Sequence, residues 1–167
     1  MRNLAIFVVF VSVPFPAYAC SFGPGYELYE PRFQDFEEKF DRNGYLATLP
    51  APEKVEVQTL IRGTAAPGAS CEDAGILTIR ITWPQNSIYG LDEVGFYFRA
   101  DAQKFPDLIF PLEPIVPIHF SDNEATFTFI WLDGHPSRQR PLDFELEVFA
   151  VNMGLQIGPP RTIRVSK

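Results

Sequence analysis

The pattern in residues 144–165, FELEVFAVNMGLQIGPPRTIRV, decides the fold. Phe144, Leu146, Val148 and Ala150 alternate with Glu145, Glu147, Phe149 and Val151. That is the period of two that sends successive side chains to opposite faces of a strand. Asn152-Met153-Gly154 and Gly158-Pro159-Pro160 are turn chemistry, and Ile163 and Val165 then resume the alternation. The stretch predicts the closing hairpin of an antiparallel sheet, with Phe149 and Val151 on its outer face.

Earlier runs repeat the theme. Val55, Val57, Thr59 and Ile61 share one face of a predicted strand, and Leu77, Ile79, Ile81 and Trp83 one face of a second. Val94, Phe96 and Phe98 line a third, and Phe127, Phe129 and Trp131 point inward from a fourth that stops at Asp133-Gly134. Turn signals separate these runs and no helical period intervenes, which predicts an all-β antiparallel sandwich. Between the third and fourth runs, Pro111, Pro114 and Pro117 recur every third residue. Proline has no N–H for a central ladder, so this strip is expected to be a sheet edge or a crossover.

Residues 1–19 read differently. Arg2, an apolar run from Leu4 to Val13, and Ala17-Tyr18-Ala19 form a signal peptide with cleavage expected after Ala19. The run is too short to span a bilayer. The expected organisation is a signal peptide at 1–19, an N-terminal extension at 20–50 and a sandwich at 51–167. Within the extension, Pro31 suits a helix start and Asn43-Gly44 a stop. Phe33, Phe36 and Phe40 make one stripe on that short amphipathic helix. Export to the periplasm or beyond favours oxidation of the two remaining cysteines, Cys20 and Cys71, to a disulfide worth on the order of 4 kcal/mol. A lipid anchor on Cys20 is the alternative, although Ala17 and Tyr18 match a lipobox poorly.

Composition narrows the partners. The chain of 167 residues carries a formal charge of −7, and losing Arg2 makes it more negative. Such a surface repels phosphate backbones, which argues against nucleic acid. The 16 prolines are about twice the usual frequency and favour sheet over helical bundle.

The last run, PLDFELEVFAVNMGLQIGPPRTIRV, resembles the final two strands of a fibronectin type III domain. In that family an aromatic-x-apolar-x-apolar-x-Ala-x-Asn strand leads through a glycine-bearing loop to Gly-Pro-Pro. Phe144, Leu146, Val148, Ala150 and Asn152 fit the run, and Gly158-Pro159-Pro160 fit the exit. Trp83 is similar to the family's core tryptophan. The resemblance covers Ala51 to Lys167 and implies a fibronectin- or immunoglobulin-like sandwich. Phe144 stands where the family usually has a corner tyrosine.

Catalytic signatures are missing. There is no G-x-S-x-G elbow, no H-E-x-x-H helix and no phosphate-cradling glycine loop. His119 and His135 with Asp122 and Asp133 would hold a metal only if their loops converged, which the spacing does not imply, so neither metal nor cofactor is expected. Ser121 to Ala125 is acidic but reads as a tight turn. Cys71 beside Glu72 and Asp73 is a poor nucleophile, because the carboxylates oppose a thiolate.

The expectation is therefore a non-enzymatic exported module that binds another envelope or extracellular protein. Its candidate partner surface is Phe149, Val151, Met153 and Leu155 at the last hairpin, together with Leu112, Ile115 and Val116 on the proline strip. The alternative is a carbohydrate-binding module, with Tyr45, Tyr89 and Tyr97 as sugar-stacking candidates. An enzyme with a loop site at His135 ranks third.

Overall fold

The computed structural model describes residues 23–31, 39–40, 45–64, 73–100 and 109–167. The expected signal peptide, both cysteines of the expected disulfide and most of the expected helix lie outside these residues. Phe40, at the helix's far end, forms an isolated antiparallel bridge with Leu46. Among the described residues no helix is long and apolar enough to cross a membrane.

The strands are β1 (Tyr26–Leu28), β2 (Lys54–Ile61), β3 (Ala74–Thr82), β4 (Gly95–Ala100), β5 (Ile115–Pro117), β6 (His119–Phe120), β7 (Glu124–Leu132), β8 (Asp143–Val151) and β9 (Arg161–Ser166). They form two antiparallel sheets, ordered β1-β5-β4-β8-β9 and β2-β3-β7-β6. The fold is all-β, and one apolar core draws on both sheets.

Alternation produces that core. Leu77, Ile79 and Ile81 on β3 are fully buried and pair with Phe129, Phe127 and Ala125 of β7. Phe144, Leu146, Val148 and Ala150 meet them from the other sheet. Aromatic rings fill the middle edge to face: Trp83 lies 5.6 Å from Phe96 at 89°, and Phe98 lies 4.9 Å from both Phe127 and Phe129. Such pairs each add about 0.5–1.5 kcal/mol beyond the area they bury. The Trp83 indole N–H, which would otherwise be stranded in the core, donates to the Tyr89 carbonyl at 2.7 Å.

On β2 the expected face is wrong beyond Val57. The register slips between Val57 and Thr59, a β-bulge that leaves Gln58 without an opposite number on β3. One extra residue inverts the faces that follow. Leu60 therefore packs against the core, while Ile61 is turned out and about half exposed.

The proline strip is the expected crossover. β5 belongs to one sheet and β6 to the other, and β1 occupies the edge that β5 would otherwise present. The Tyr29 N–H donates to the Pro114 carbonyl at 2.9 Å, so β1 is tied to the strip by its acceptors. Tyr29 then lies across Gly95, where a β-carbon would sit only 2.5 Å from its ring. Its hydroxyl donates to the Glu93 carbonyl at 3.0 Å. Burial, with the nearby charge of Glu93, pushes the Tyr29 phenol up to about 12, so it stays a donor.

At the far end of β7 the strand is clamped by Asp133. Arg62 donates to both carboxylate oxygens at 2.7 and 2.9 Å, the Gly63 N–H donates at 2.8 Å and the Trp131 indole at 3.2 Å. Their side chains are 14 % and 5 % exposed for Arg62 and Asp133, so the pair is sheltered from water.

Candidate functional site

The loop that joins β8 to β9 is organised by one side chain. Asn152 is fully buried, and its Oδ1 accepts from the Gly154 and Gln156 N–H groups, both at 3.0 Å. Its Nδ2 donates to the Tyr89 hydroxyl at 3.2 Å and to Gln156 Oε1 at 3.1 Å. The Tyr89 hydroxyl in turn donates to the Ala47 carbonyl at 3.0 Å. The network binds the loop to the segment after Trp83 and to the chain that precedes β2. It is the reason an asparagine stands where the strand ends: a short amide supplies both the acceptor and the donors a tight turn needs.

This scaffold displays its tip. Leu155 sits at φ 58°, the left-handed region, and is 65 % exposed. For a residue with a β-carbon that conformation costs about 1–2 kcal/mol. Ile157, bridged to Val151, is 62 % exposed beside it. Leu46 packs against Gly154, which brings the exposed Tyr45 to the base of the same loop. Removing the strain has a measurable consequence. Leu155→Gly should raise stability in urea denaturation by up to about 1 kcal/mol, since little burial is lost and the left-handed backbone suits glycine.

The other predicted surface residues separate into covered and open. Phe149 points to the outer face as expected, but it is buried: Tyr97 stacks on it at 5.2 Å and the Arg99 guanidinium lies over the ring at the same distance. Val151 is buried where it pairs with Gly95, beneath Tyr29, and Met153 is buried inside the loop. Ile115 faces inward opposite Phe96 and is fully buried. Leu112 is widely exposed and Val116 half-buried. So the loop tip and the strip each contribute, whereas four of the seven candidates serve packing.

The sugar-stacking candidates fare similarly. Tyr89 is 1 % exposed with its hydroxyl in the Asn152 network, and Tyr97 is engaged with Phe149. Tyr45 alone of the three is widely exposed. His135 caps a 3-10 turn at Pro136–Arg138 by accepting the Ser137 N–H, and Asp133 belongs to Arg62. Among the described residues no three His, Cys, Asp or Glu side chains lie together as metal ligands would.

A second feature lies at the open edge where both sheets end. A groove of about 680 Å³ runs between β1 and the β5–β6 crossover, with Val116, Ile118 and Phe120 in its lining. Sequence reading singled out Val116 but not the groove, because β1 was hidden in a stretch expected to be an extension.

Two antiparallel sheets with a continuous apolar core define an all-β protein compatible with a β-sandwich. The chain matches no family model, no curated protein and no solved structure.

Proposed function

We propose that this chain is a non-enzymatic, exported β-sandwich module of immunoglobulin-like, fibronectin type III kind that binds another envelope or extracellular protein through its β8–β9 loop. The strand order supports the fold assignment. With β1 set aside, β2-β3-β7-β6 and β5-β4-β8-β9 follow the orders A-B-E-D and C′-C-F-G of such sandwiches. The loop between the last two strands then sits at the end of the sandwich where this architecture commonly places recognition loops.

The observation that carries the binding role is Leu155, a large apolar residue held in a strained backbone and turned to solvent by a fully satisfied buried amide. Strain of that kind persists where the surroundings over-determine it, and it clusters at functional sites. With the protein as bait in an envelope extract, a specific partner should be recovered and then lost on Leu155→Asp or Ile157→Asp. Leu132→Asp, at another widely exposed leucine, should retain it. Leu155→Gly should fold more stably yet bind less, a separation of stability from function. Recovery that ignores all three loop changes would remove the loop from the proposal.

A further inference from the structure

We propose that the groove between β1 and the β5–β6 crossover is a second binding site, for an extended partner segment in which lysine or arginine alternates with apolar side chains. It stands independently of the β8–β9 loop.

Apolar and acidic side chains both line the groove. Val116, Ile118 and Phe120 offer apolar surface, with Ile118 and Phe120 44 % and 51 % exposed, and Leu28 adds a side chain 59 % exposed from β1. Water released from such a surface favours any apolar ligand, so the apolar lining alone selects nothing. Selection comes from the acidic lining. Glu27, Glu30 and Asp92 line the groove, all three are exposed, and among the described residues no lysine, arginine or histidine lines it. Elsewhere the carboxylates Glu93, Glu56, Asp133, Glu147 and Asp143 each have a basic partner. The three groove carboxylates have no ion-pair partner among the described residues.

Their arrangement decides the type of cation. Three carboxylates gathered at one point would suit a metal ion, but no such cluster occurs among the described residues. Carboxylates that do not converge match separate positive charges on one extended chain better than a single ion. A strand-like segment that carries both apolar and basic side chains can meet the apolar and the acidic lining together, as Glu27 lies directly across from Val116. A second copy of this chain, with its formal charge of −7, is a poor electrostatic fit to an acidic lining.

The test is fluorescence anisotropy on the purified protein. The probe is a labelled synthetic peptide of about eight residues in which lysine alternates with phenylalanine; the control has glutamate in place of lysine. The lysine peptide should bind, and binding should weaken as salt rises from roughly 50 to roughly 300 mM. Neutralising the acidic lining with Glu27→Gln, Glu30→Gln and Asp92→Asn together should weaken it about ten-fold and flatten the salt dependence. Phe120→Ser should weaken it too, and Leu155→Asp should leave it unchanged. All these positions are exposed, and thermal melts will verify folding. Equal affinity for the glutamate peptide, or an unaltered affinity in the neutralised variant, would overturn the proposal. So would concentration-dependent dimerisation abolished by Phe120→Ser, which would give the groove to a second copy.

Discussion

Asp133→Ala is expected to destabilise the protein by roughly 3–5 kcal/mol, the usual range when one member of a sheltered ion pair is removed. The change leaves the Arg62 guanidinium only 14 % exposed and without its bidentate acceptor. It also strands the Gly63 N–H and the Trp131 indole N–H. Water reaches such groups poorly, so their desolvation goes uncompensated. Replacing both partners, Arg62→Met with Asp133→Leu, should recover a large part of the loss, because no charge is then left behind. Urea denaturation of the single and double variants measures this directly.

The same residue sets an acid limit. Burial pushes the Asp133 carboxyl up, but the Arg62, Gly63 and Trp131 hydrogen bonds outweigh it and hold the group below its ordinary 3.8. A depressed folded pKa means that the unfolded chain binds the proton first as pH falls. The stabilisation is whole above the unfolded value, near 3.8, and is lost as pH drops through the folded one. Asp133→Asn should lack this slope, so its deficit against the parent should shrink at about pH 3 relative to neutral pH. A deficit that is constant across that range would show that the carboxylate's charge is not what matters.

Gly75→Ala is expected to cost about 3 kcal/mol, the upper end for overpacking. A β-carbon there would lie 2.2 Å from the Trp131 ring, far inside contact distance. Gly75 pairs with Trp131 across β3 and β7, so the indole lies where a side chain would otherwise be. The ring is rigid, and its N–H is anchored on Asp133, so it has little freedom to move away. In a Trp131→Ala background the same substitution should be close to neutral. A double-mutant cycle by thermal or urea unfolding would then show strong coupling. Additive effects would mean that the glycine answers to some other constraint.

Much of the fold was legible because burial in a two-layer protein writes its period into the chain. β3, β4, β7 and β8 were readable from their alternation, since alternate side chains on each are sealed in the core. The β2 bulge was not, because Leu60 and Ile61 are both acceptable apolar residues and only the pairing with β3 selects between them. Strand β1 was missed for a related reason. Three residues carry too little periodicity to detect, and they become a strand only when β5 supplies acceptors.

The surface was harder to read than the core. Phe149 and Val151 alternate outward as the pattern demanded, yet an outward position is exposed only if nothing else covers it. Tyr97 and Arg99 from β4, and Tyr29 from just beyond β1, do so. Leu155 was singled out by its place in a turn; its left-handed backbone follows from the Asn152 network and not from any local preference of leucine.

By itself the chain determined which residues alternate, where turns interrupt them and hence that sheets would close over a phenylalanine-rich centre, because side-chain period and turn chemistry are local properties. Tertiary structure alone decided the bulge, the covering of Phe149, the Asp133 clamp and the acidic groove. Each depends on residues far apart in sequence meeting at a fixed distance, and no local pattern encodes a distance.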